Sequence, residues 1–537
     1  MRLAAVSVIV FATLFGSIAR SAEVPPPTVE LRIQSVNQLL PTFEYVAGIF
    51  NQAEAGKQGV EFLKTLTDDK TGIDGIDPAR PFGMSIALTK DVVDSPVIVM
   101  LPLADEAAFL DLLRDKLDLD PKKTKDVYEV EVPNVPAPVF FRFTQGYVVA
   151  TVQNAGNLND AKFLPVKEFF AVKPQGIADL RVHLDRVPED VTKVVLAQLE
   201  LKLQDELAKP MDGETVGQKK LRLWVGERLT EVVPMLLKQG KLLSLTLNAD
   251  AKSDALTTDV RFSAKDGTAL ADILAALDGR SGLPLVSDAD ALNVLALNAK
   301  LALPTQARES FEPVLEALLK DFVEQAKESE RGFLIVALDA IKPTIQAGEL
   351  DMSAALVDAA DGKSSTVALS MKLVKGLEIE KLLKLFGPFL PSKQGKFTLN
   401  ADKVDGNAIH KLELNDDRLK TLYGTNAIWL SVRDDRLTLT VEPDGSRIKA
   451  ILAAKPNAAA APLTLRATAS RLPKYFDSKL DAKLLDVVRT EVFGDGKKAT
   501  GDTMEVSLTG GKELRLKLTT QGKAVKFLAV LDQESKK

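Results

Sequence analysis

Short segments in which apolar and polar residues alternate recur along the whole chain. The segments 243–248 and 259–264 alternate on either side of a polar turn, which predicts a β-hairpin. A different spacing follows, because Leu270, Ile273, Leu274 and Leu277 recur at intervals of three and four and fall on one face of a helix. The two patterns together predict an α+β fold, mainly antiparallel sheet with helices packed on it.

A unit of strand, helix, strand, strand and helix is predicted twice in each half of the chain. Each unit opens with a strand that ends in an apolar residue and proline, and proline suits the first turn of a helix. These junctions are Leu40-Pro41, Val187-Pro188, Leu303-Pro304 and Leu472-Pro473. Amphipathic helices are expected to follow, for example with the stripe Val191, Val195, Leu196, Leu199 and Leu203. Further strands and a short helix are predicted around 127–163 and 397–453.

The two halves of the sequence match each other in the same order. Residues 84–88 recur as 352–356, and 146–152 recur as 435–441. We therefore predict a duplication, with residues 29–277 and 293–531 forming two similar halves. Leu88 and Leu356, and likewise Phe109 and Ile379, are expected at equivalent positions, and Leu113 and Leu383 are both expected to be buried.

The N-terminal residues read as a targeting segment. Arg2 precedes an apolar run to about Ile18, and Ala19-Arg20-Ser21 is a small-x-small cleavage pattern, so residues 1–21 are predicted to be a signal peptide. An uncleaved membrane anchor is the alternative. The predicted organisation continues with a Pro-rich leader at 22–28, a first half at 29–280, a linker at 281–292 and a second half at 293–533. We expect an exported protein, periplasmic or extracellular, with no membrane span once the signal is removed.

Composition narrows the possible chemistry. The 537 residues include no cysteine, which excludes disulfides, a cysteine nucleophile and thiolate metal sites. Nucleic acid is an unexpected partner, because the formal net charge is −5 and there is no basic strip with interleaved aromatic residues. Only two histidines, His183 and His410, could serve acid–base chemistry, and both fall in predicted strands.

The motifs that resemble catalytic or binding sequences are incomplete. Ser85 follows Gly83-Met84 as in a serine-hydrolase elbow, but it lies inside an alternating strand rather than before a helix. Lys363-Ser364 ends like a phosphate-binding loop, yet Val357 stands where that loop needs glycine. We therefore assign no catalytic and no cofactor-binding residues.

Carboxylates offer two further possibilities, a metal site and a hydrolase. A calcium site is possible near Asp74 and Asp77, or near Asp402 and Asp405, because both segments carry oxygen ligands. Neither spacing matches the twelve-residue calcium loop, so we assign no metal ligand. The pairs Asp416-Asp417 and Asp434-Asp435 could serve a hydrolase. Trp224 and Trp429, the two tryptophans, both read as core residues, which disfavours sugar binding.

One part of the first half resembles a known group of proteins. The segments 72–83 and 99–110 carry a Gly-x-Asp-x-x-Arg-Pro sequence before a hairpin, followed by a helix that Asp105 would cap. Over roughly residues 28–190 this resembles uncharacterised exported proteins common in planctomycete-type bacteria. The resemblance implies an exported compartment and no particular activity.

These observations favour an exported, non-enzymatic binding or structural protein of the cell envelope. It would act through the surfaces, or a cleft, of its duplicated sheets on an unknown protein or envelope partner. Two alternatives stay open: a carrier of an apolar ligand or lipid, and a carboxylate-dependent hydrolase of envelope polymers. Two or more carboxylates with raised pKa values converging in one cleft would favour the hydrolase.

Overall fold

The structure is a computed structural model. It describes residues 26–50, 58, 73–133, 135, 137–160, 162–209, 211, 213–286, 293–326, 328–358, 364–387, 395–456, 461–476, 482–494 and 501–535. The predicted signal peptide at 1–21 and residues 287–292 of the predicted linker lie outside these ranges, as do residues 22–25 of the predicted leader.

In the described residues, twenty strands form one sheet in which neighbouring strands are antiparallel. The first ten strands are β1 Val29–Ile33, β2 Phe82–Ile86, β3 Val97–Pro102, β4 Lys122–Thr124, β5 Val127–Val130, β6 Val139–Thr144, β7 Tyr147–Val152, β8 Ala178–His183, β9 Gly240–Asp250 and β10 Ala255–Ala264. The other ten are β11 Asn293–Ala302, β12 Glu349–Asp358, β13 Ser365–Lys372, β14 Gly395–Val404, β15 Asn407–Leu414, β16 Ala427–Val432, β17 Arg436–Val441, β18 Leu463–Thr468, β19 Thr503–Thr509 and β20 Glu513–Gln521.

Helices connect and cover these strands, so the α+β class predicted from the sequence is confirmed. They are α1 Val36–Ile49, α2 Glu106–Asp111, α3 Val166–Phe169, α4 Glu189–Ala208, α5 Val216–Gln239, α6 Ala269–Ala276, α7 Thr305–Gln325, α8 Glu328–Gln346, α9 Gly376–Phe386, α10 Asp417–Tyr423, α11 Ser446–Ala453, α12 Pro473–Phe476, α13 Ala482–Phe493 and α14 Gly522–Ser535. A π-helical turn, Leu112–Lys116, extends α2.

The strands follow one order from edge to edge. That order is β4-β5-β6-β7-β3-β2-β1-β8-β9-β10-β20-β19-β18-β11-β12-β13-β17-β16-β15-β14. Adding ten to each strand number of the first half gives the order of the second half. The halves meet where β10 pairs with β20, with Arg261 directly opposite Arg515.

Hydrophobic clusters lie on both faces of the sheet. In the first half, Phe109 and Leu113 pack with Phe141 and Val148 on one face. Met100 and Val149 pack with Phe169 on the other. The sheet is therefore covered on both faces in this part of the first half.

Local sequence signals set many element boundaries. Asp105 begins α2 as predicted, because its Oδ1 accepts the N–H of Ala108 at 2.7 Å. Thr215 and Gln218 form a reciprocal capping box at the start of α5. Such caps satisfy N–H groups that the first helical turn leaves without partners.

Some expectations about these elements were wrong. Pro41 does not start a helix, because α1 begins at Val36 and contains Pro41. Leu88 lies beyond the end of β2, whereas Leu356 lies within β12. Leu113 is buried as expected, but Leu383 is only half-buried against the cluster around Leu373.

Candidate functional site

Six apolar side chains form a continuous row across the centre of the sheet. Each one lies directly opposite the next on adjacent strands from β8 to β18: Leu180, Leu245, Val260, Leu516, Leu508 and Leu463. Side chains directly opposite in antiparallel strands share one face of the sheet. None of the six is buried, and Leu516 is 40% exposed. We call this line of side chains the apolar row.

A second line of side chains runs beside the apolar row on the same face. Leu247 in β9, Leu518 in β20 and Leu465 in β18 are 43%, 40% and 36% exposed. It continues onto β11 through Leu297, which lies opposite Leu465. Seven strands from β8 to β11 span about 29 Å at the usual strand spacing. We call the two lines together the central apolar face.

The opposite side of the same strands is polar. Asp179, Thr246, Asp259, Lys517 and Ser507 lie directly opposite one another from β8 to β19. Because successive residues of a strand point to opposite faces, the alternation of each strand makes the centre of the sheet amphipathic. A sheet of this kind can place one face in water and requires cover for the other.

An ion-pair cluster joins the two halves on this polar side. Arg515 donates from Nε and Nη2 to the two carboxylate oxygens of Asp259, at 2.9 and 2.8 Å, and Nη2 of Arg261 donates to Asp259 at 2.9 Å. Burial by itself raises the pKa of the Asp259 carboxyl. The hydrogen bonds from Arg515 and Arg261 lower this pKa by more than burial raises it, so the pKa lies below its ordinary value. The carboxylate thus separates two guanidinium groups that otherwise lie opposite each other.

Helices from both halves pack together at one end of the central strands. Gly217 in α5 lies so close to Leu318 in α7 that a Cβ atom would be 2.7 Å from the Leu318 backbone. The N–H of Gly217 donates to the Asp321 carboxylate, and the indole of Trp224 packs edge-on against Phe311 at 5.0 Å. Trp224 therefore lies in a helix interface, as its sequence position in an apolar stripe indicates.

Helices from both halves also pack together at the other end of the central strands. Tyr45 in α1 donates its hydroxyl to Asp254 at 3.0 Å, and α1 packs against α14. A Cβ atom on Gly522, the first residue of α14, would be 2.7 Å from the Tyr45 hydroxyl. Helices thus flank the central strands at both ends.

The long helices expose apolar side chains, including some of the apolar stripe from which the α4 helix was predicted. The exposed set on α4 and α5 is Val194, Val195, Leu199, Leu201, Val216, Leu223, Val225, Leu229 and Val232. In α4, members of the predicted stripe, Val195 and Leu199, are themselves exposed. The spacing of apolar residues in α4 predicts a helix, but it does not determine which other part of the protein packs against that helix.

The two histidines occupy different environments. His183 lies at the end of β8, with Nε2 at 3.3 Å from a Glu30 carboxylate oxygen. His410 is fully buried in β15, where its Nδ1 accepts the N–H of Asn400 at 3.1 Å and its Nε2 is 3.6 Å from Glu380. Burial lowers the pKa of His410 below its ordinary value, which favours a neutral ring.

The acidic candidates have structural partners. Asp77 accepts the N–H of Ala79, and Asp402 forms an ion pair with Lys449 at 2.5 Å. Asp416 caps α10 by accepting the N–H groups of Arg418 and Leu419. Within the described residues, no group of three or more histidine, cysteine, aspartate or glutamate side chains is arranged to hold a metal ion.

The remaining candidates are separated from one another. Asp435 pairs with Arg433 at 3.3 Å in the β16–β17 turn. Ser85 lies inside β2 and Ser353 inside β12, both buried in the sheet. Lys363 lies outside the described residues. Among carboxyl groups of the described residues, a raised pKa occurs at Asp94, where burial and the nearby charge of Asp91 both raise it.

Two of the cavities in the described part of the chain lie among the helices. One of about 220 Å³ is lined by residues of α7 and α8, including Arg308, Phe311 and Gln346. The other, of about 300 Å³, is lined by Lys220, Lys320 and other residues of α5 and α7. Both have charged side chains in their walls, unlike the central apolar face.

Comparison with known proteins does not place the chain in a family. No protein-family model matches the chain, and no curated protein or solved structure matches it. In the ranges that the structure describes, none of the helices has both the length and the apolar character needed to cross a membrane.

Sequence reasoning missed the central apolar face as a single feature. The alternation in β9 and β10 was visible, and the same alternation is present in β20. The contact between β10 and β20 joins residues 250 or more positions apart, so no local pattern indicates that their apolar sides form one surface.

Proposed function

We propose that this chain is an exported, non-enzymatic binding protein of the cell envelope that holds an apolar partner on its central apolar face. The observation that carries the proposal is the exposure of Leu247, Leu516, Leu518 and Leu465 on β9, β20 and β18, which alternate with β10 and β19 in the centre of the sheet. Contiguous apolar patches of this kind are typical of interaction sites.

The open shape of this face favours a partner that brings an extended surface of its own. Its leucines lie along strands of a sheet rather than around a closed cavity, and the two cavities described above have charged walls. A protein or another envelope component therefore fits the face better than a small enclosed ligand. Carriage of a lipid is the second candidate, favoured by the length of about 29 Å over which the apolar side chains continue.

Substitutions on β20 test the proposal. Leu516→Lys and Leu518→Lys place charges on the face at positions that are already 40% exposed, so the fold should tolerate both. Leu201→Lys is the matched control, because Leu201 is 67% exposed on α4. A fluorescent fatty acid serves here as a general probe for an exposed apolar surface. We expect the native protein to bind it saturably, with at least tenfold weaker binding in the β20 variants and unchanged binding in the control.

Protein isolated from its native host can be analysed to identify the class of partner. A photoreactive residue at position 518 should cross-link a defined envelope component, whereas the same residue at position 201 should not. Acyl lipid recovered from the native protein and lost from Leu518→Lys would favour carriage. Equal probe binding by all variants, or equal cross-linking at both positions, would contradict use of this face. N-terminal sequencing should give Ala22 as the first residue if the protein is exported as proposed.

A further inference from the structure

Arg436 is a buried cation that forms no ion pair within the described residues. It begins β17, and only 9% of its surface is exposed. Its Nε has no hydrogen-bond partner, and no carboxylate of the described residues lies within ion-pair distance of its guanidinium. Arg32, which is buried to a similar degree, instead pairs with Glu30 at 2.8 Å and donates to the carbonyl of Phe169.

Two buried hydroxyl groups beside Arg436 also lack partners. Thr438 lies two residues along the same strand, and Ser370 of β13 lies directly opposite Thr438. Both are completely buried, and neither Oγ1 of Thr438 nor Oγ of Ser370 has a hydrogen bond. The alternation of strands places all three side chains on the same face of the sheet. This is the polar face, opposite to the central apolar face.

Two further cations flank this group. Lys372 lies directly opposite Arg436 on β13, and Arg433 stands on the other side across the β16–β17 turn. Both are about 40% exposed, and each has a carboxylate partner: Glu349 at 2.6 Å for Lys372 and Asp435 at 3.3 Å for Arg433. Lys372 and Arg433 thus add positive charge beside Arg436, and Asp435, whose charge also acts on Arg436, forms its ion pair with Arg433.

Such an arrangement is unfavourable unless something else satisfies it. Buried charges in proteins are normally paired, and buried hydroxyl groups are normally hydrogen-bonded. Burial lowers the pKa of the Arg436 guanidinium and the charge of Arg433 lowers it further, whereas the charge of Asp435 raises it without offsetting these two effects.

The first half provides an internal comparison. In the alignment of the two halves Tyr147 corresponds to Arg436 and Val149 to Thr438. Met100 lies opposite Val149 as Ser370 lies opposite Thr438. Tyr147, Val149 and Met100 form an apolar cluster with Leu158 and Phe169. The polar set is therefore particular to the second half, and packing of the fold does not require it.

We propose that Arg436, Ser370 and Thr438 form a binding site for an oxyanion group, a phosphate or a carboxylate. Its oxygens would accept hydrogen bonds from the guanidinium fork and from the two hydroxyl groups, and Lys372 and Arg433 would attract it at the rim. The ligand can be a free anion or the headgroup of a lipid, since both present the same oxygens. This site is independent of the function proposed for the apolar face.

Anion-dependent thermal stability of the full chain tests the site. Melting temperature is measured against inorganic phosphate and against acetate, with ionic strength held constant by sodium chloride. We expect a saturable rise with at least one of these anions, because a ligand that binds only the folded state stabilises it. Arg436→Met should weaken the apparent affinity at least tenfold, and Ser370→Ala should weaken it several-fold.

Control variants keep the test decisive. Arg114→Met removes an exposed arginine that pairs with Asp111 at 3.8 Å and should leave the anion response unchanged. Arg436→Lys keeps the charge but loses the fork, so it should bind several-fold more weakly even if Arg436→Met fails to fold. The proposal is overturned if neither phosphate nor acetate gives more stabilisation than sodium chloride, or if the response persists in Arg436→Lys and Ser370→Ala at native strength.

Vesicles separate the two sources of the anion. Phosphatidylcholine vesicles with and without phosphatidic acid are compared in a flotation assay. Binding that needs both phosphatidic acid and Arg436 identifies a lipid headgroup. A phosphate response in solution without vesicle binding identifies a free anion.

Discussion

Replacing Asp259 with asparagine should weaken the junction between the two halves of the sheet. Asp259 accepts four guanidinium hydrogen bonds, two from Arg515 at 2.8 and 2.9 Å and two from Arg261 at 2.9 and 3.3 Å. Charge-assisted bonds contribute about 1.5–3 kcal/mol each when buried, but both arginines are a third or more exposed, so solvent reduces the total. Since asparagine keeps one acceptor oxygen, we expect Asp259→Asn to lower the free energy of unfolding by about 2 kcal/mol.

Urea denaturation followed by far-ultraviolet circular dichroism measures this loss. Glu513→Gln is the matched control, because the Glu513 carboxylate is 45% exposed and lies 3.8 Å from Arg261. A pair of this kind contributes about 0–0.5 kcal/mol. If Asp259→Asn and Glu513→Gln have the same free energy of unfolding within about 0.5 kcal/mol, the cluster does not stabilise the junction.

The pH dependence provides a second measurement of the same carboxylate. The pKa of Asp259 in the folded protein lies below its ordinary value, so its contribution is complete above the unfolded pKa of about 3.9. It is lost as pH falls through the folded pKa. The stability difference between the native protein and Asp259→Asn should therefore be constant near neutral pH and shrink below about pH 4. A difference that is unchanged at pH 3 would contradict this account.

Three further substitutions probe packing and titration. Gly217→Ala should destabilise the protein by about 1–3 kcal/mol, because the added methyl group would collide with α7 in the α5–α7 interface. Gly332→Ala should stabilise it by about 0.5–1 kcal/mol, because α8 has open space around that Cβ position. In thermal melts the first variant should therefore lower the melting temperature and the second should raise it. Leu113→Ala should cost about 2–5 kcal/mol in urea denaturation, against less than about 0.5 kcal/mol for exposed Leu201→Ala, and similar losses would contradict the assigned core. Because burial lowers the pKa of His410, the native protein should lose stability as pH falls below about 6.5, and His410→Gln should lose less; identical pH profiles would show that His410 does not titrate in this range.

The sequence by itself determined the elements and their faces. The alternation of 243–248 specified both a strand and its two unlike sides, and the aspartate at 105 specified where α2 begins. These are short-range effects, because strand alternation and helix capping depend on residues within a few positions of one another. The matches between the halves also predicted that strand order would recur. Superposition of the halves themselves, and hence the duplication, stays a prediction.

Only the tertiary structure decided which strands adjoin and which side chains are left open or unpaired. Every strand with alternating residues can pair with any other, so nothing local selects β20 as the partner of β10. The same holds for Arg436, which follows Asp434 and Asp435 in the sequence but is buried by packing without an ion-pair partner among the described residues. The burial of a side chain and the choice of its partners result from contacts between segments that are distant in the sequence. The composition of any one segment therefore does not determine them.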